Sequence, residues 1–182
     1  SVAKTMSEVR EEQKGTVKNR CEKAFELAND KTSVYWCNFN DEGDLLDEID
    51  KDAVQIKGGM TIEKKEDLLL SFAKGEIQRL ITKPKITSFG LNWQHCNHTV
   101  YFPTWSYEQY YQAIRRFWRF GQTKPVTVDL VVSDGQTRVL DTLVYKTEKA
   151  IQFNESLKKA LNGAVEMKSK EFNQNIIKPK FL

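Results

Sequence analysis

The segment SVYWCNF, Ser33–Phe39, sets the reading of the fold. It is rich in aromatic and β-branched residues and carries no formal charge, which predicts a buried strand. Outward from it, strand and helix patterns alternate. Upstream, residues 1–30 lack Pro and place Val17, Cys21, Ala24, Phe25 and Ala28 at spacings of three and four, the period of an amphipathic helix. Downstream, Asp41–Asp52 predicts a short acidic helix and Ala53–Lys57 a second strand ended by Gly58 and Gly59. Thr61 suits the N-cap of a helix through Leu68, Leu69, Phe72 and Ala73, with Gly75 as its stop. Strands are expected at Glu76–Thr82, His98–Phe102 and Val126–Val132, and helices at Ser106–Phe120 and Arg138–Leu161. This alternation predicts an α/β protein with a mostly parallel sheet covered on both faces. Ligands collect at the carboxyl ends of such strands, so the loops after Phe39, Lys57, Thr82 and Phe102 are the ones to watch.

The chain has 182 residues, 40% hydrophobic and 29% charged, with a net charge of +3. That composition sustains a core and excludes a disordered chain. No stretch approaches the ~20 apolar residues that span a bilayer, and no signal-peptide pattern opens the chain. Cys21, Cys37 and Cys96 show no CxxC spacing, which argues against a disulfide scaffold and a structural zinc site. An intracellular, cytoplasmic domain without a membrane segment is expected. Charge is segregated along the chain. Lys74–Lys124 holds eight Lys and Arg against two acids, and Asp41–Asp67 holds ten acids against four lysines. The basic middle suits phosphates.

Projected as one helix, Ser106–Phe120 places Tyr107, Tyr110, Tyr111, Ile114, Phe117 and Trp118 on one arc. Gln112, Arg116 and Arg119 stand at i, i+4 and i+7 on the opposite side, with Arg115 between. Two neighbouring guanidinium groups repel each other and gain from an anion between them, and each fits phosphate oxygens bidentately. The competing reading is a solvated helix face.

The run from Gln112 through Arg116, Arg119, Gly121 and Gln122 to Val126 resembles motif VI of superfamily-2 helicases, above all the SWI/SNF-type branch. Gly90-Leu91-Asn92-Trp93-Gln94 resembles motif V. The order of strand, Gly58-Gly59-Met60-Thr61, helix and strand is similar to motif IV and the element after it. WSYEQYYQAIRRFWRFGQ is also similar to DNA helicases of phages and prophages. The likeness spans about Thr32–Val132, with two departures: Thr82–Phe89 replaces a small, Gly-rich approach to motif V, and Arg115 stands where an acid or glycine is common.

The resemblance implies a RecA-like three-layer α/β/α lobe, the C-terminal half of an ATP-driven DNA helicase or translocase. It implies that Arg116 and Arg119 act as arginine fingers toward ATP and Mg²⁺ held mainly by an N-terminal RecA-like lobe. Gln112 would orient that helix or the nucleotide, and Gly90 and Asn92 would shape the nucleotide side. Gly59, Thr61, Thr82, Lys83 and Lys85 would meet the nucleic-acid backbone. The expected organisation is a leading helix from the inter-lobe linker at 1–31, the lobe at 32–150, and a helical extension with a Lys-rich tail at 151–182. No G-x-x-x-x-G-K-[ST] run occurs, so the chain by itself is expected to hydrolyse no ATP. Asp47-Glu48-Ile49-Asp50 follows no hydrophobic strand and is read as a solvated helix face, not a magnesium box. His95, Cys96 and His98 lack a fourth ligand, so no metal is expected. Trp105, in a loop at a strand end, is the aromatic best suited to stack on a base. The alternative function is a non-catalytic nucleic-acid-binding or protein-docking module on the same fold.

Overall fold

The computed structural model describes residues 5–86, 92–118 and 121–174. It divides into two units, Ser1–Leu143 and Val144–Leu182. The first is a sheet of five parallel strands in the order β2-β3-β1-β4-β5. The strands are β1 (Ser33–Trp36), β2 (Ala53–Gln55), β3 (Arg79–Thr82), β4 (His98–Tyr101) and β5 (Thr127–Leu130). The helices are α1 (Met6–Gly15), α2 (Val17–Ala28), α3 (Asn40–Ile49), α4 (Ile62–Ala73), α5 (Tyr107–Ile114) and α6 (Thr137–Gln174), with a short 3-10 turn at Asp134–Gln136. Helix α6 accounts for the described part of the second unit.

Strand β1 is central, and the side-chain alternation of a strand sends its residues into two separate cores. Val34 and Trp36 join Leu69 and Phe72 of α4 and Ala113 and Ile114 of α5. Tyr35 and Cys37 join Cys21, Ala24 and Ala28 of α2 and Leu46 of α3. A sheet covered on both faces hides all four residues of β1, which explains its unbroken apolar and aromatic sequence.

Several elements are shorter than the sequence pattern suggests, each for a local reason. The expected first strand stops at Trp36 because the amides of Asn38 and Phe39 donate to the Glu42 carboxylate at 2.8 and 3.0 Å. The strand expected from Glu76 begins only at Arg79. Residues 75–76 are spent closing α4: Gly75 takes φ +79°, and the Glu76 amide donates to the Ser71 carbonyl. The leading helix breaks at Thr16, whose hydroxyl turns back to the Glu12 carbonyl at 2.7 Å. Arg20 holds that break with bonds to the Gln13 carbonyl and the Thr16 hydroxyl.

One part of the acidic segment is not a solvated face. Asp47 and Glu48 are exposed, but Asp50 is buried and accepts two bonds from the Arg79 guanidinium at 2.5 and 2.8 Å. The Tyr35 hydroxyl donates to the same carboxylate at 2.8 Å. Burial alone pushes the Asp50 carboxyl up, but the Arg79 and Tyr35 bonds outweigh it and hold it below its ordinary value. Its stabilising contribution is therefore complete above the unfolded value near 4 and disappears as pH falls through the lower folded value. Asp50→Ala takes both short carboxylate bonds from the buried Arg79 guanidinium, leaving it the exposed Asp52 carboxylate at 3.1 Å, and is expected to cost about 3 kcal/mol at pH 7. Urea melts should show that loss, and the variant's stability should fall less steeply than the parent's as pH drops below about 4.

Candidate nucleotide and nucleic-acid faces

The two groups of residues expected to carry function lie in two different settings. The first is built where the segment before β4 meets the end of α5. The Trp93 amide donates to the Arg116 carbonyl at 3.1 Å. The Gln122 side-chain amide donates to the carbonyls of Cys96 and Phe117 at 3.1 and 3.2 Å. Gly121 takes φ +95°, and a Cβ there would come within 3.0 Å of the Gln94 side chain. The two motif-like segments are thus clasped together by backbone and amide bonds.

Trp93 is the wedge of this clasp. It is fully buried, stacked on Trp36 with ring centroids 5.8 Å apart, and edge-on to Phe72 at 5.2 Å. Phe117 lies tilted against it at 5.7 Å, and the Arg116 guanidinium sits 5.5 Å from its ring centroid. A cation over an indole face is held electrostatically, which fixes the direction of the Arg116 side chain.

This arrangement corrects the single-helix projection. Helix α5 ends at Ile114, with Arg115 as its cap. Beyond it the amides of Arg116 and Phe117 bond only three residues back, to Ala113 and Ile114. The Arg116 carbonyl accepts instead from the Trp93 amide, outside the helix. Gln112 is therefore half-buried on the helix, whereas Arg116 lies past it and is 7% exposed. Arg119 lies outside the described residues, as does Gly90. The apolar arc is corrected with it: Trp118 is 78% exposed and Tyr111 48%, so neither anchors the helix. Asn92 is exposed, next to the clasp.

The second setting is the carboxyl edge of the sheet. A cavity of about 370 Å³ brings together Gly59, Thr82 and Lys83, lined also by Gln55 at the end of β2. A larger one, about 550 Å³, brings Lys83 and Lys85 together with Trp105 and with Arg10 and Gln13 of α1. The Lys83 ammonium donates to the Asn40 side chain at 2.7 Å. Thr61 does not line either cavity; its hydroxyl caps α4 by accepting from the Lys64 amide. Trp105 is half-buried. Gln55 and Arg10 carried no motif that singled them out in the sequence, and Trp93 stood inside the motif V-like run without a role of its own.

Among the described residues no group of three His, Cys, Asp or Glu side chains is placed to hold a metal, and no helix is long and apolar enough to cross a membrane. His98 is instead a structural bridge, 2.8 Å from the Ser33 hydroxyl and 2.8 Å from the Asp129 carboxylate. Burial pushes the Cys21 and Cys96 thiols up to about 12, so neither is poised as a nucleophile.

The model of the helicase conserved C-terminal domain matches residues 16–121. The DNA repair protein RAD5 of Yarrowia lipolytica is 31% identical over 111 residues, covering 58% of this chain and 11% of that protein. This chain thus spans only a small part of that curated relative. Among solved structures, the C-terminal part of the Fun30 ATPase domain aligns with a TM-score of 0.59 at 17% identity, over 71% of this chain and 45% of that one. The C-terminal domain of the DEAD-box protein Dbp5 aligns with a TM-score of 0.57 at 16% identity, over 73% and 79%. At that identity the likeness is one of fold, the RecA-like α/β/α arrangement seen here.

The positive φ and the tight approach to Gln94 make Gly121→Ala costly. A loss of about 1–2 kcal/mol is expected in chemical denaturation, with the denaturant slope unchanged.

Proposed function

Because the chain belongs to the family of helicase conserved C-terminal domains, we propose that it is the C-terminal motor lobe of an ATP-dependent DNA helicase or translocase acting in the cytoplasm. The observation that carries this reading is the clasp through which the Trp93 amide holds the Arg116 carbonyl. It joins the segment that holds Asn92 to the turn that holds Arg116, just beyond the helix that carries Gln112. Guanidinium groups and amide N–H groups donate, which suits phosphate oxygens, and a guanidinium has no lone pair to offer a divalent cation. The fit is therefore to the far side of a nucleotide whose own phosphate cradle and Mg²⁺ belong to an N-terminal RecA-like lobe.

When bound there, ATP supplies the phosphoryl group transferred to water. Arg116 and Arg119 place positive charge against the γ-phosphate as negative charge develops on it. Gln112 and Asn92 orient that surface, along with Gly90 in the motif V segment. The stack of Arg116 on Trp93 keeps its guanidinium pre-aimed, so little side-chain entropy is lost when the lobes close. On the carboxyl edge, Gly59, Thr61, Thr82, Lys83 and Lys85 meet the backbone of DNA. Closure around ATP then moves this edge along the strand.

One observation favours the alternative of a non-catalytic nucleic-acid-binding or docking module: Arg116 is 7% exposed. Turnover separates the two. In the full-length protein, Arg119→Ala is expected to lower DNA-stimulated ATP hydrolysis by about 10³-fold or more, with nucleotide affinity changed far less. Unchanged turnover removes the finger role. The 182-residue chain alone is expected to release no phosphate from ATP with or without DNA, and DNA-stimulated release by it would overturn the division of labour between lobes.

A further inference from the structure

The larger cavity at the carboxyl edge is walled in part by an element for which the motor reading has no use. Helix α1 lines it with Met6, Arg10 and Gln13, which stand at i, i+4 and i+7 on one helix face. Lys83 and Lys85, beyond β3, line it too, as does Ser106, the N-cap of α5. Among the described residues no Asp or Glu does so. Acids are at hand, since α1 itself carries Glu8, Glu11 and Glu12. The helical period places all three off the face of Met6, Arg10 and Gln13. Glu8 is bound in the capping box with Thr5, and Glu12 lies against Gly135, where a Cβ would come within 2.5 Å of its Cγ.

Three cations thus converge on one cavity. The Arg10 guanidinium sits 5.9 Å from the Phe39 ring centroid, and the Lys83 ammonium donates to the neutral Asn40 side chain. Neither these two nor Lys85 forms an ion pair among the described residues. Like charges gathered without a carboxylate repel, and an anion among them removes that repulsion. The positive end of α5 strengthens the same field. The end of α1 is tied down, because Arg20 donates to the Gln13 carbonyl while pairing with the buried Glu42. The volume, about 550 Å³, is more than a lone phosphate fills. Cys37 and Lys83 line the smaller cavity as well, so the two cavities adjoin at these residues. A continuous backbone of phosphates can engage both, whereas a free ion occupies a fraction of one.

We propose that α1 is an arm of the nucleic-acid site: a strand whose backbone meets Lys83 continues into the larger cavity, where Arg10 donates to one of its phosphates and Lys85 to another. The guanidinium fork fits phosphate oxygens bidentately, and the Phe39 ring keeps it aimed. The proposal rests on the nucleic-acid reading above and extends it to the helix that leads into the lobe, which thereby becomes part of the grip.

The test is fluorescence anisotropy of the 182-residue chain with a labelled oligothymidylate of about twelve nucleotides, between about 50 and 200 mM salt. Arg10→Gln should weaken binding about fivefold at the lower salt. It should also flatten the slope of log affinity against log salt by about 0.7, the share of one single-strand phosphate contact. Lys85→Gln should do the same, and Arg10→Lys should keep the slope. Lys18→Gln removes equal charge from an exposed position on α2 that lines neither cavity, and should change little. Pyrophosphate, added at matched phosphate concentration and constant ionic strength, should leave the strand bound. If Arg10→Gln matches the parent chain, or Lys18→Gln loses as much as it does, α1 is no arm of the site; a loss on Lys85→Gln alone then preserves the backbone reading. Displacement by pyrophosphate would make the cavity a small-anion site and overturn the proposal. If the parent chain binds no strand, both readings fall together.

Discussion

The fully buried indole of Trp93 is the contact on which the first unit's functional surface depends. It touches Trp36 of the central strand, Phe72 of α4, Phe117 beyond α5 and the guanidinium of Arg116. Aromatic pairs of this geometry add roughly 0.5–1.5 kcal/mol each beyond their burial. One side chain therefore ties sheet, helix and both motif-like segments into a single body. The same contact sits where α5 gives way to a turn, with Phe117 seated against Trp93 and the Arg116 carbonyl bonded to its amide.

The opposite face of the sheet is organised by charge. Arg20 reaches the Glu42 carboxylate at 2.5 Å and lies over the Phe102 ring, while Glu42 also collects the amides that open α3. Arg79 and Asp50 do the same work at the other end of the strands. Buried pairs of this kind are weak evidence for stability but are costly to break singly. Here they fix where helices begin and strands stop, which sets the loops that line the carboxyl-edge cavities.

The layered architecture was legible in the sequence because each strand between two covered faces must be apolar and each covering helix must show a stripe. Ser33–Trp36 and the Thr61 cap of α4 follow local rules that tertiary contacts leave intact. What escaped local reading was decided at long range. The charge of Asp50 is absorbed by Arg79, and the turn after α5 is bonded to a tryptophan that precedes β4. The Gln112, Arg116 and Arg119 stripe assumed an uninterrupted helical period, and no pattern within Ser106–Phe120 records that interruption. The clustering of Gly59, Thr82 and Lys83 was foreseeable from the parallel topology, which brings strand ends to one edge.

The position of β1 has a consequence for how the molecule comes into being. Within this sheet the first strand to be synthesised is also the innermost, and both of its ladder partners, β3 and β4, are encoded well after it. A nascent chain thus carries its greasiest ribbon with two bare edges until Arg79–Thr82 and His98–Tyr101 have left the ribosome. Ribosome-tethered truncations ending between those points would carry an adhesive strand, and a chaperone's protection would matter most in that interval.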